Sequence, residues 1–332
     1  MPHKQMLQVQ VGAETTWGTA VTPTAKLMGV DMNGVTMDIG YQAAVEQHIS
    51  GSLLPGNVAY VQQTGRGTIG LPIVGLYDDL PYWFDSMLGQ ATPSGGGPYV
   101  YAYDGPTTSI TRRDMTVVYG DGTDAYGLTG AVCTALQLRQ DVGQPLRTQV
   151  TLQGKQWLDD ATASLSDRTV YPVQADHWTS LYIDAWAGTI GTTQLTNCIM
   201  VGFELNLAAP VVFEDGLGSI VPCAYNNMPF NGSQNTLALT VRFPGSSNVT
   251  RDIIDLLVAA TPGLVQRQIR LKATNTTRIL QIDFAGTLTA PPTLFDDREG
   301  NTIATLQLEA TYNPTLSNWI AVDITNGVSA LA

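Results

Sequence analysis

Charge is scarce in this chain. Only 13% of its 332 residues are Asp, Glu, Lys or Arg, against roughly a quarter in an ordinary soluble domain. Uncharged polar residues and glycine fill the difference, and hydrophobic content is ordinary at 44%. Such a surface reads as that of an assembly subunit or of an extracellular β-protein. Positive charge is scarcer still, with 16 Lys and Arg against 28 Asp and Glu and a net charge of −12. Arg112-Arg113 is the densest basic point, so the chain has no basic patch able to grip nucleic acid by its phosphates. The acidity serves either solubility or a surface that repels a polyanion.

Cysteine is equally sparse. Cys133, Cys198 and Cys223 are odd in number and lack Cys-x-x-Cys spacing, which excludes a disulfide framework and a zinc signature. They are expected to be buried free thiols in a reducing compartment. No apolar run is long enough for a membrane helix, and Met1–Gln8 carries no apolar core of a signal peptide, so assembly in cytoplasm is expected.

Catalytic machinery is missing too. His3, His48 and His177 are dispersed, with no carboxylate or cysteine at ligand spacing. Asp121-Gly-Thr-Asp124 starts like a calcium loop but lacks the later ligands, and reads as a solvated turn. Asp296, Asp297 and Glu299 with Gly300-Asn301 read as a hairpin turn between 293–295 and 302–304. There is no Gly-x-Ser-x-Gly elbow and no phosphate-binding Gly-Lys-Ser/Thr loop. Gly95-Gly-Gly97 follows a helix signal instead of preceding one. No enzyme, cofactor or metal is expected.

What the chain has is the same pattern twice. Strand-like Val35–Gly40, a long gap, strand-like Thr68–Ile73, a helix signal over Asp78–Leu88 and then Ala91-Thr-Pro93 recur in order. Their counterparts are Phe203–Leu207, a second gap, Leu237–Arg242, Asn248–Val258 and Ala260-Thr-Pro262, at offsets of 168, 169, 170 and 169. Strands at Gln149–Gly154 and Thr305–Ala310 end the two series, and Leu7–Gly12 and Leu181–Asp184 begin them. Repetition of this kind sets the domain count. The expected division is 1–165, a linker at 166–177 overlapping the polar stretch Gln156–Asp176, and 178–332.

Period-two alternation, as in Gln149–Gln153 and Thr305–Glu309, puts one face of each strand in a core. The fold class is therefore mainly β: two tandem β-sandwich or barrel units, each with one flanking α-helix and a long inter-strand loop. In the first helix Asp78 is the expected cap, and Trp83, Phe84, Met87 and Leu88 form one packing stripe. Ile253, Ile254, Leu257 and Val258 repeat it behind Asn248, with Asp85 and Asp255 on the polar face. The two gaps, Tyr41–Arg66 and Ala208–Asn235, are too long to be structureless and too apolar to be disordered. Leu53, Leu54, Val58 and Tyr60 in one, and Val211, Val212, Phe213 and Ile220 in the other, read as loops or hairpins that order against a neighbour. A hairpin folded back on its own sheet is the alternative. Trp319–Thr325 reads as a last strand or arm, and Trp17 and Trp186 as core or interface residues.

The opening Gly12-Ala-Glu-Thr-Thr-Trp-Gly-Thr-Ala-Val-Thr-Pro-Thr24 resembles the N-terminal signature of tail tube proteins of long-tailed, non-contractile bacteriophages. Trp178–Asp184 and Val201–Leu207 also resemble that family, and the likeness spans essentially the whole chain. It implies a β-sandwich or barrel with one flanking helix, six such domains to a ring, and neighbouring strands joined into an inner barrel. The long loop and the terminal arms would contact the next ring. Two domains per chain would make the ring a homotrimer with pseudo-sixfold symmetry, in the virion tail. The implied partners are further copies, a tape measure protein and tail terminator or distal tail proteins, with DNA passing through the lumen unbound. A tandem glycan-binding or adhesion protein is the rival reading, and a hydrolase the third.

Overall fold

In the computed structural model, the described residues are 7–48, 56–63, 66–106, 110–122, 124–160, 162–195, 200–216, 219, 221–242, 265–289, 293–298 and 301–331. The first half runs β1 (Gln8–Ala13), β2 (Ala25–Leu27), β3 (Thr36–Asp38), β4 (Tyr41–His48), β5 (Gly56–Gln63), β6 (Gly67–Val74) and helix α1 (Leu80–Leu88). It continues with β7 (Tyr99–Asp104), β8 (Met115–Gly120), β9 (Ala125–Asp141), β10 (Arg147–Gly154) and β11 (Gln156–Asp160). The second half starts with β12 (Trp178–Ala185), β13 (Gln194–Leu195), β14 (Met200–Ala208), β15 (Val211–Glu214), β16 (Ala224–Asn227) and β17 (Thr236–Arg242). It ends with β18 (Gln266–Asn275), β19 (Arg278–Leu288), β20 (Thr293–Arg298), β21 (Asn301–Ala310) and β22 (Ile320–Asn326). The protein is mainly β, as its alternating apolar pattern requires.

The same antiparallel pairings occur in both halves. In one layer β2–β1–β8–β9–β11 matches β13–β12–β18–β19–β22. In the other, β3–β6–β10 matches β14–β17–β21. The long β9 serves both layers: its first part pairs with β8 and β11, its second with β10. In the second half β19 and β20 share that duty, and both pair with β21. Buried side chains of the two layers, among them Val9, Val11, Val117, Ile69, Leu71 and Leu152, belong to one core cluster that runs on through both halves.

The pairing registers correct one spacing. Met37 faces Ile69 and Leu205 faces Leu237, so Ile69 matches Leu237 and the offset is 168 for both strands, not 169 for the second. A one-residue slip would exchange core and solvent faces. Ile69, Leu71, Leu237 and Leu239 are all fully buried.

Two seams join the halves. β14 pairs with the distal part of β9 over seven residue pairs, from Gly202 opposite Asp141 to Ala208 opposite Ala135. β22 pairs with β7, from Ala321 opposite Asp104 to Asn326 opposite Tyr99. Side chains tighten the second seam: Asn326 Nδ2 donates to Tyr77 O (3.0 Å), and Tyr101 OH donates to Val328 O (3.0 Å). β7 comes from residues 89–114, which have only 259–265 as counterpart, so this seam is private to one side of the repeat.

The helix departs from expectation in two ways. Its N-cap is Asp79, without a side-chain capping bond, rather than Asp78. Both carboxylates turn instead to guanidinium groups, Asp79 to Arg168 and Asp78 to Arg278 of the second half. The helix has no solvent face either: all nine residues are buried, since it packs against both β9 and β7. Asp85 is fully buried, accepting from Tyr103 OH (2.8 Å) and pairing with Arg113 Nε (2.7 Å). Removal from water makes that pairing obligatory. The stripe Trp83, Phe84, Met87 and Leu88 is buried. The matching Ile253, Ile254, Leu257 and Val258, and Asp255, lie outside the described residues.

The stretch expected as a linker is tied to the first half. Gln156–Asp160 is β11, Ala163 exchanges two hydrogen bonds with the Gln10 side chain (2.8 Å each), and Val173 bonds Gly75 and Leu146. Asp121 and Asp124 form the β8–β9 turn, where the Asp124 N–H donates to Asp121 Oδ1 (2.7 Å). β20 and β21 form the hairpin expected around 293–304.

Candidate assembly interface

One layer runs without interruption through both halves: β3–β6–β10–β9–β14–β17–β21–β20, antiparallel at every step. Its inward positions are the core leucines, isoleucines and valines. Its outward positions include Gln149, Gln153, Gln137, Asn206, Ala238, Thr240, Thr305 and Gln307, the period-two partners of the buried set. This face is polar and almost neutral: Arg139 stands opposite Glu204, and Gln137 Nε2 donates to Glu204 Oε1 (3.0 Å) and Asn206 Oδ1 (2.9 Å). No lysine lies on these eight strands.

The arc has two ends. Among the described pairings β3 bonds only β6, and β20 only β21. At the β3 end, Met37 and Ile39 are 38% and 42% exposed, whereas their counterparts Leu205 and Leu207, covered by β9, are 0% and 2% exposed. The difference follows from the neighbouring strand, because Met37 shares the core-side register of Ile69.

The two long gaps are hairpins. β4 pairs with β5 from Tyr41 opposite Gln63 to His48 opposite Gly56, and with no other strand among the described pairings. β15 pairs with β16 and folds onto the first half. Phe213 and Tyr225 pack on Trp17, with ring centroids 6.3 and 5.6 Å away. Tyr225 OH donates to Asp114 Oδ1 (2.7 Å). Trp17 is itself fixed by its indole bond to Gly130 O (3.0 Å), and Gly130 has φ +61° with no room for a Cβ, which would stand 2.6 Å from the indole nitrogen. Glu14 completes the corner by accepting from Gly18 N, Gly130 N and Thr116 OH. Burial raises the Glu14 and Asp114 pKa values, partly offset by those bonds. An exposed Arg66–Asp215 pair (2.6 Å) links the base of the first hairpin to the far end of β15 in the second.

Of the residues expected at an interface, Phe213 is buried on Trp17 and Val212 is 48% exposed. Val211 is half-buried. Leu53, Leu54 and Ile220 lie outside the described residues, and Val58 and Tyr60 stand on β5. The Trp17 corner was visible only as a motif, because its partners are more than 90 residues distant. Cysteine also departs from expectation: Cys133 is buried, which pushes its thiol up to about 12, but Cys223 is exposed. Cys198 lies outside the described residues. Among those residues no group of three or more His, Cys, Asp or Glu could hold a metal. A cavity of about 820 Å³ near Phe230, Tyr312 and Trp319 is closed on its other side by Pro106 and Ile110.

Comparison with known families decides the assignment. The phage tail tube protein family matches residues 5–310. The chain belongs to that family. No curated protein matches it. As a tail tube protein it is a structural component of the phage tail and assembles with its own copies into a tube. That role accounts for an eight-stranded arc with open ends, since exposed strand edges invite pairing.

Proposed function

We propose that this tail tube protein is a duplicated ring-building unit, with domains at 1–165 and 178–332 joined by 166–177. Three copies close a ring of pseudo-sixfold symmetry, and stacked rings make a tube that conducts DNA from capsid to host. The observation that carries the reading is the continuous arc of two matched halves joined head to tail. A heterologous contact of this kind closes into a ring or grows into an open filament. The near-neutral, lysine-free outer face of the arc suits a lumen through which phosphates slide without being held, and a net charge of −12 adds repulsion.

The hairpins carry the stacking. β4–β5 with Leu53, Leu54, Val58 and Tyr60, and β15–β16 with Val212 and Ile220, reach the next ring. Tape measure and tail terminator or distal tail proteins meet the column's interior and ends, and assembly takes place in host cytoplasm. Negative-stain microscopy of concentrated purified protein tests this. Rings with three chains and six similar lobes, and tubes built from them, are expected; persistent monomers would overturn it.

A further inference from the structure

We infer that the cavity beside Trp319 is a docking socket for an uncharged, proline-rich segment of another protein, taken up in the polyproline II form. Its volume of about 820 Å³ falls within the roughly 300–1,000 Å³ of ordinary ligand sites. Phe230 packs on Trp319 with ring centroids 5.5 Å apart and planes tilted by 46°, and Pro106 and Ile110 close the opposite wall. Two further lining residues, Met228 and Tyr312, are 43% and 53% exposed, an apolar rim that the single chain leaves in water. No lining residue is charged. In a chain of net charge −12 this neutral patch suits an uncharged partner.

The directional groups narrow the ligand. Three asparagines line the cavity, but their amide N–H groups are engaged inside the protein. Asn226 Nδ2 donates to Glu214, Asn227 Nδ2 to Ile110 O (3.1 Å) and Asn235 Nδ2 to Asn231 O (2.7 Å). A sugar, with hydroxyls to be read on every side, therefore meets few groups to read it. Two donors are left: among the described residues neither the Trp319 indole N–H nor the Tyr312 hydroxyl makes a hydrogen bond. Gly105 keeps the indole edge open, since a Cβ there would stand 2.8 Å from Nε1. A polyproline II segment is the complement of such a site. Its carbonyls are unpaired, and proline brings no N–H that needs an acceptor. Its rings fit between aromatic side chains, and its preformed shape lowers the entropy cost of docking.

The socket also stands outside the pattern shared by the two halves. One residue, Lys155, separates β10 from β11, whereas residues 311–319 separate the matching β21 and β22 and carry both Tyr312 and Trp319. The facing wall comes from 89–114, which is likewise private to one half. A contact between repeating units recurs at every unit, but this socket occurs once per chain. Its occupant is therefore a protein other than the chain itself.

The test is fluorescence anisotropy of a labelled, capped Ala-Pro-Pro repeat peptide titrated with the full chain. A capped Gly-Ser peptide of equal length and unlabelled maltotriose, added as a competitor, are the comparisons. The proline peptide should bind with a Kd tighter than about 1 mM and roughly tenfold tighter than the Gly-Ser peptide. Tyr312→Ala and Met228→Glu, both at half-exposed positions, should keep the parent melting temperature and weaken binding roughly tenfold. Equal affinity for the two peptides, no binding, displacement by maltotriose, or unchanged binding in both variants would overturn the socket. Peptide taken up by single chains but excluded from assembled tubes would overturn an outside partner, because a neighbouring copy would then be the occupant.

Discussion

β3 and β14 occupy the same place in the two halves, pair with matching strands and carry apolar residues at the same positions. Yet Met37 and Ile39 stand in water while Leu205 and Leu207 are core. The residue types hardly differ; the supply of a neighbouring strand does. β9 is long enough to offer its distal half to β14, and among the described residues no strand does the same for β3. A side chain's burial here therefore depends on whether a strand arrives beside it as much as on its residue type. The hairpins differ likewise: β15–β16 is seated on Trp17 and Asp114 of the same chain, whereas β4–β5 pairs only with itself among the described strands.

The largest effect is expected at the two edges. Leu205→Ala should cost about 2–5 kcal/mol of stability, the usual range for emptying a packed core site. Met37→Ala should change the unassembled chain by no more than about 0.5 kcal/mol. Met37→Asp should likewise leave the chain folded but abolish rings. Urea unfolding beside size-exclusion chromatography reads both, and equal stability costs at Leu205 and Met37 would break the comparison.

Gly130→Ala comes next. Its left-handed φ and the Trp17 indole both oppose a Cβ, for a loss of roughly 1–3 kcal/mol in thermal melts. Tyr225→Phe should cost about 1–2 kcal/mol by leaving the half-buried Asp114 carboxylate short of a donor. Deleting 53–60 should shift the melting temperature little but stop rings from stacking, a split that electron microscopy resolves. Full-length tubes from that deletion would remove the stacking role of the first hairpin.

The smallest effect concerns the carboxylates that pin the loops after β1 and β12. Burial outweighs the hydrogen bonds on Glu14 and raises its pKa. At Asp184 burial is outweighed by bonds from Thr192, Gly191 and Thr193, and the pKa is lowered. Asp184 therefore contributes stability that is present above about pH 4, the unfolded value, and is lost as pH falls through its lower folded value. Glu14 runs the other way: its contribution is present below about pH 4.3 and is lost as pH rises through its higher folded value. Asp184→Asn should flatten the acid limb of melting temperature against pH, and Glu14→Gln should remove a decline above it. Identical shifts in both variants would show that the two loops are not held differently.

Much of this was legible from residue order. Alternation in Gln149–Gln153 and Thr305–Glu309 located β10 and β21, and the matched series located β3, β6, β14 and β17. The helix stripe was legible as well, but not the burial of Asp85, because the covering strand β7 and the partner Arg113 come from elsewhere in the chain. An offset of 169 for the second strand was a natural reading of low-identity residues, and only the pairing with β14 showed it to be 168.

By itself the sequence determined the strand periodicity and the scarcity of positive charge, since these depend on local spacing and composition. The tertiary structure decided which edge is covered, where the second hairpin sits, and that Asp85 is buried and Glu14 partly so. Those outcomes depend on contacts between residues about 30 to about 210 positions apart, and no local pattern encodes which distant strand arrives to make them.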